Sequence, residues 1–399
     1  PTRELAFQLA IVAVNLLQDQ SKCGLLIGGN SRKTEVNMLT NSKPPLIIAT
    51  PGRLLDHMKD PKRYFLFSNL KVLIIDEADT ILKIGFEEDL KQIIGMIPKE
   101  RQTMLFSATL NTKLDDIISL SLKEPQKISV GETTTVSNLE QGVVVVEANN
   151  KFRFLYTFIR KNADKKIMVF FSSCNAVKFY SYLLNYVDVT VKDIHGNQKQ
   201  KKRTATYSEF LQAKKGVLLC TDVAQRGLDI PKVDWIIQFD APHEPDDYLH
   251  RVGRTARGAN SIGKAILLLL PSEVGMIRCL KKYNIELNEY DFPEEQLAQI
   301  QDQLEMLIEK NYYLQEAAKD AYKAYLHAYV SHKLKDVFNI NDLDLAKMCK
   351  AFGFAKPPFT NLNIRITPSG VRRKRDNMTK KEQYYNNKKD NKGNTQYTY

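Results

Sequence analysis

Short apolar runs alternate with amphipathic stretches through the first 290 residues. In the first half LLIGG (25–29), LIIAT (46–50), VLIID (72–76) and TMLFSAT (103–109) read as buried strands, being apolar, partly β-branched and only a few residues long. RLLDHMKD (53–60) and FEEDLKQIIGMI (86–97) read as the helices between them. A polar stretch, GETTTVSNLEQ (131–141), interrupts the alternation and predicts a hinge. The pattern then resumes in KIMVFFSS (166–173), VTVKDIHG (189–196), GVLLCTD (216–222), WIIQFD (235–240) and GKAILLLL (263–270). Strand and helix in regular alternation predict an α/β chain with two parallel-sheet lobes in tandem.

After Pro293 the period becomes helical. Leu297, Ile300, Leu304, Leu307 and Ile308 recur at three- and four-residue steps, and Tyr322, Tyr325 and Tyr329 form a second stripe, read as a packing face. His327 and His332 do not share a helical face in the way a metal pair would. The expected organisation is a first lobe at 1–130, a linker at 131–145, a second lobe at 146–290, a helical C-terminal extension at 291–364 and a disordered basic tail at 365–399.

Composition adds three constraints. The 399 residues, 43% of them hydrophobic, suffice for two cored domains at roughly 100–200 residues each. No apolar run approaches the roughly 18–20 residues of a membrane span, and no membrane partner is expected. The cysteines, Cys23, Cys174, Cys220, Cys279 and Cys349, stand singly, without zinc or disulfide spacing, and are expected to be reduced thiols. Of the net charge of +12, an excess of seven lies in residues 365–399, where ten Lys or Arg face three acids. Such an arm suits a polyanion, and its tyrosines could stack on bases.

Candidate chemistry concentrates where strands end. VLIIDEAD (72–79) delivers three carboxylates at the end of a buried run, a placement suited to a Mg²⁺ ion beside phosphate oxygens. SAT (107–109) follows the next strand, and HRVGRTARG (250–258) supplies arginines able to complete a phosphate cage.

With PTREL (1–5), Gly28–Gly29, TPGR (50–53), VFFSS (169–173) and TDVAQRGLDIP (221–231), these segments resemble, in order and spacing, the DEAD-box RNA helicases of superfamily two. The likeness extends from Pro1 to about Leu280. DEADTILKIGFEEDLKQII, IHGNQKQKKRT, FPEEQLAQIQDQLEMLIEKNYYL and FGFAKPPF look like the nucleolar Has-type branch. The resemblance implies two RecA-like lobes and an ATP-dependent RNA helicase of ribosomal RNA processing and ribosome assembly. Its partners would be RNA, above all pre-ribosomal RNA, and ribosome-assembly proteins; it would be monomeric, nuclear and nucleolar.

The resemblance also implies roles. Asp76 would hold Mg²⁺ through water, and Glu77 would orient and deprotonate the water attacking ATP. Arg254 and Arg257 match the arginine fingers, and His250 would help hold that water. Arg251 is expected to brace its own lobe, against Asp229, and Gly227 and Asp229 would lie beside the nucleotide. Ser107 and Thr109 would bond to Asp79 and couple the two sites. Thr2, Arg3, Gly28, Gly29, Thr50, Gly52, Arg53 and Thr221 would bind RNA phosphates and sugars, independently of sequence.

One departure counts against the likeness. The family's phosphate loop should precede PTREL, and no GxxxxGK[ST] stretch occurs in these 399 residues. The chain is therefore expected to be a fragment whose first lobe lacks its N-terminal strands and is the less stable lobe. An ATP-independent RNA-binding assembly factor stays open as the alternative reading.

Overall fold

The computed structural model describes residues 1–62, 67–108, 112–129, 139–222, 233–255 and 263–360. The segment 131–138, the basic tail, Thr109, Arg257, Gly227 and Asp229 lie outside the described residues.

The first lobe opens with α1 (Arg3–Leu17), whose N-cap Thr2 accepts from the Leu5 N–H at 3.2 Å. There follow β1 (Cys23–Leu26), α2 (Arg32–Asn41), β2 (Leu46–Ala49) and α3 (Pro51–Met58), with Pro51 at the helix start where its missing N–H costs nothing. Next come β3 (Val72–Ile75), α4 (Ala78–Ile84), α5 (Glu87–Met96), β4 (Gln102–Leu105) and α6 (Thr112–Ser121). The strands form two parallel pairs, β1 with β2 and β3 with β4. Ile75, Ala78, Leu82, Leu90, Leu114 and Ile117 make the core around β3, while Val72 and Ile74 on its other side are 40% and 56% exposed.

The second lobe comprises β5 (Leu139–Val145), α7 (Lys151–Lys161), β6 (Lys166–Phe170), α8 (Cys174–Tyr186), β7 (Val191–Ile194), α9 (Gln200–Gln212), β8 (Gly216–Cys220), β9 (Trp235–Gln238), α10 (Pro245–Val252), β10 (Gly263–Leu269), α11 (Gly275–Lys281) and β11 (Asn288–Glu289). One parallel seven-stranded sheet in the order β11-β5-β10-β9-β6-β8-β7 joins its strands. Central β6 is buried along its whole length, as helices on both faces of a parallel sheet require, and the apolar run from Ile167 to Phe170 follows from that. The architecture is α/β, with two RecA-like lobes in tandem. Residues 139–141 of the polar stretch expected to hold the hinge lie in β5.

The extension, α12 (Gln301–Lys310), α13 (Tyr312–Val330) and α14 (Leu345–Ala351), packs on the second lobe. Tyr180 of α8 donates to the Ala351 carbonyl at 3.0 Å, and the Phe352 ring lies 5.7 Å from Tyr180 and 5.6 Å from Tyr322. Tyr322, Tyr325 and Tyr329 are all buried, so the tyrosine stripe is a packing face.

Candidate active site

The acidic corner at the end of β3 is held tightly. The Phe106 N–H donates to the Ile75 carbonyl at 2.8 Å and the Ala78 N–H to the Phe106 carbonyl at 3.0 Å, so the chain after β4 fixes the chain after β3. Ser107 follows Phe106 directly and is thereby carried to this corner. Between the two anchored residues Glu77 adopts left-handed backbone angles, φ 50° and ψ 51°, uncommon for a residue with a side chain. Its N–H donates to Asp76 Oδ1 at 2.9 Å, and the Thr80 hydroxyl donates to Glu77 Oε2 at 3.0 Å. The turn stores backbone strain in order to present two adjacent carboxylates, both half-buried, at the mouth of the first lobe.

α10 brings the second lobe to this corner. Asp79, 5% exposed, has its Oδ2 3.8 Å from His250 Nε2. Arg254 Nε donates to the His250 carbonyl at 3.2 Å, one turn back along the chain. Asp79 and His250 thus meet across the lobes, with Asp76 and Glu77 just before Asp79 in the chain and Arg254 one turn after His250.

Arg251 has no part in the cleft. It is fully buried, donates to both carboxylate oxygens of Asp222 at 2.7 and 3.1 Å and to the Asp240 carbonyl at 2.8 Å, and stacks 5.4 Å from the Phe170 ring. It braces its own lobe on Asp222, at the end of β8; the expected partner Asp229 lies outside the described residues.

The closed cleft is fastened at two further places that the sequence did not reveal. Glu4 on α1 accepts from Arg203 at 2.6 Å and from Gln200 at 2.9 Å, both on α9. Lys83 at the end of α4 donates to Asp247 on α10 at 2.9 Å. The position of Glu4 inside PTREL was the one available signal; nothing local marks Lys83, Arg203 or Asp247.

Several of the residues expected to hold RNA phosphates are engaged within the protein. A Cβ on Gly28 would meet the Arg3 guanidinium at 2.9 Å, and one on Gly29, whose φ is +92°, would meet Gln200 of the second lobe at 3.0 Å. Gly28 thus lets Arg3 of its own lobe approach closely, and Gly29 lets Gln200 of the second lobe do so. Arg53 is engaged by Glu35 at 2.8 Å and by the Asn30 carbonyl at 2.6 Å, while Glu35 also contacts His57 Nε2 at 2.8 Å and accepts from the Ile27 N–H at 3.2 Å. Glu35, buried and absent from the sequence reading, is the hub that orients Arg53. A Cβ on Gly52 would touch Asp89 at 3.4 Å, Thr50 is buried at the start of α3, and the buried Thr221 hydroxyl has no hydrogen-bond partner among the described residues.

The donor set fits Mg²⁺ in one particular manner. Among the described residues no group of three or more His, Cys, Asp or Glu could enclose a metal. One or two carboxylates, with phosphate oxygens and water completing the shell, is how this hard ion is ordinarily held, and Asp76 meets that need.

Residues 1–117 match the family model described as DEAD/DEAH box helicase, and 150–259 the helicase conserved C-terminal domain. Residues 311–359 match the C-terminal extension described as ATP-dependent rRNA helicase SPB4-like. The chain is 53% identical over 382 residues to "Probable ATP-dependent RNA helicase ddx18" of Dictyostelium discoideum, covering 94% of this chain and 63% of that protein's length. It is 52% identical over 383 residues to ATP-dependent RNA helicase HAS1 of Saccharomyces cerevisiae, covering 94% of this chain and 75% of that one. Among solved structures, Mss116p bound to ssRNA and AMP-PNP superposes with a TM-score of 0.75 at 27% identity, over 88% of this chain and 73% of the other.

Proposed function

We propose, from the premise that this chain belongs to the DEAD/DEAH box helicases, that it is the two-lobed engine of an ATP-dependent RNA helicase. The observation that supports this reading is the meeting of Asp79 and His250 across the lobes at 3.8 Å, with Arg254 bonded one turn back to the His250 carbonyl. A first-lobe base and a second-lobe arginine share one cleft only when the lobes are together, so hydrolysis depends on closure.

In this reading Glu77, held by Thr80, takes the proton of the attacking water. His250 helps to hold that water. Arg254 and Arg257 neutralise charge on the transferring phosphoryl group, for which arginine's fixed fork is suited. Mg²⁺, when bound, supplies charge neutralisation at the phosphates, with Asp76 holding it through water. Asp79, with Ser107 and Thr109, links this site to the RNA-facing loops, and Gly227 and Asp229 flank the nucleotide.

RNA lies across both lobes, on Thr2, Arg3, Gly28, Gly29, Thr50, Gly52, Arg53 and Thr221, through phosphates and sugars, so that binding is independent of sequence. Closure bends a duplex and releases one strand; hydrolysis reopens the lobes. Likeness to HAS1 proteins and to an rRNA-helicase extension supports a place in ribosome assembly, in the nucleolus, on pre-ribosomal RNA and its assembly proteins. The domain limits expected from the sequence serve as the working division of the chain.

The test is ATP hydrolysis by the full-length gene product with RNA, with DNA and with neither. Stimulation by RNA alone supports the helicase reading. RNA binding indifferent to ATP, with no hydrolysis, favours an ATP-independent assembly factor instead.

A further inference from the structure

α13 ends at Val330, and the turn that follows lies against the second lobe just before α10. His332 in that turn is 4% exposed, stacked 3.6 Å from Phe338 and 4.9 Å from His243. The Leu334 N–H donates to His332 Nδ1 at 3.2 Å, so Nδ1 is the acceptor and the ring proton sits on Nε2. Nε2 in turn donates to the Pro242 carbonyl at 3.1 Å. The extension is thereby pinned to the two residues that precede Glu244.

Pinning His332 delivers the next residue, Lys333, to Glu244. The Lys333 ammonium bonds one carboxylate oxygen of Glu244, and the Lys83 ammonium bonds the other. Glu244 occupies the N-cap position of α10, yet its side chain makes no capping hydrogen bond because both oxygens are turned toward the lysines. Lys83 stands at the end of α4, the helix that starts directly after Asp76 and Glu77, and also bonds Asp247 at 2.9 Å. One carboxylate therefore joins three parts of the molecule: the first lobe, the helix that carries His250, and the extension.

The charges balance, with Lys83 and Lys333 against Glu244 and Asp247. Lys333 is 59% exposed, so its Coulomb attraction alone is worth little. Its effect is to fix a direction, since a carboxylate released by Lys333 is free to turn back and cap α10, away from Lys83.

We propose that Lys333, seated by His332, is a positioning residue for lobe closure: it holds Glu244 in the orientation that receives Lys83 from the first lobe. This deepens the helicase reading and rests on it, because closure has a function only if nucleotide and RNA drive it.

The test uses full-length protein and a fluorescent single-stranded RNA, with and without a non-hydrolysable ATP analogue, for Lys333→Met, Lys83→Met, the double variant and Lys333→Arg. Each Met variant is expected to weaken the nucleotide-dependent RNA affinity by roughly three- to tenfold, and the double variant no more than the worse single one. Lys333→Arg restores it, and Lys333→Met leaves the affinity without nucleotide unchanged. If Lys333→Met has no effect, or its effect multiplies with that of Lys83→Met, the proposal is overturned. Tighter binding overturns it as well, by showing that Lys333 competes with Lys83 for the carboxylate. A native protein whose RNA affinity ignores the nucleotide would sink the helicase reading and this inference together, whereas native tightening with unaltered variants sinks this inference alone.

Discussion

Glu4 and Arg203 form an ion pair 2.6 Å long between the two lobes, and both side chains are almost wholly buried. Gln200 adds a hydrogen bond to the same carboxylate at 2.9 Å. Removing one member of a buried pair leaves the other charge without compensation, at a cost of about 3–5 kcal/mol. Because the pair spans the lobes, this cost falls on the closed state. Glu4→Ala should lower nucleotide-dependent RNA affinity about a hundredfold or more, and Glu4→Gln less. An equilibrium titration with a non-hydrolysable nucleotide checks the order of the two variants.

Arg251 makes a different prediction, since its bonds stay within one lobe. Arg251→Lys loses the two-point grip on Asp222 and the bond to the Asp240 carbonyl, which a single ammonium cannot reproduce. The variant should lose on the order of 3 kcal/mol of second-lobe stability. Urea denaturation followed by far-UV circular dichroism reads the shift. A catalytic defect without that shift would instead put Arg251 in the cleft.

Burial pushes the His332 imidazole down to about 4, with His243 alongside adding to the effect, so the ring is neutral in the folded protein. Unfolded histidine titrates near about 6.5, and between those values the unfolded chain binds the extra proton. Stability is therefore fully present above about pH 6.5 and is lost as pH falls toward 4, by up to about 3 kcal/mol. His243 is displaced in the same direction, chiefly by burial. Denaturation midpoints measured from pH 7.5 to 4.5 should fall steadily, and His332→Gln should make that fall shallower.

The lobes were legible because the middle of a parallel strand buried on both faces is apolar, as Ile167–Phe170 shows. The tyrosine stripe of α13 was legible for the same reason, at helical period. β5 was hidden by its letters: Glu140, Gln141 and Gly142 look like a loop, yet Gln141 is buried and accepts from the Tyr248 hydroxyl at 3.0 Å. The cleft carboxylates and His250 announced themselves through motif spacing. The pairings of Glu4, Lys83 and Glu244 did not, because their partners stand far away along the chain: Arg203 is 199 positions from Glu4, Asp247 is 164 from Lys83, and Lys333 is 89 from Glu244. No local pattern encodes such a pairing.

In the proposed mechanism Glu77, held in left-handed backbone angles, activates water for RNA-driven ATP hydrolysis once the lobes close. The most direct measurement is RNA-stimulated turnover of full-length Glu77→Gln, run beside its ATP-dependent RNA binding. A fall in kcat of about 10²–10⁴ is expected, with ATP-dependent RNA binding kept. Turnover that survives the substitution, in a protein that still closes on RNA, would contradict that mechanism.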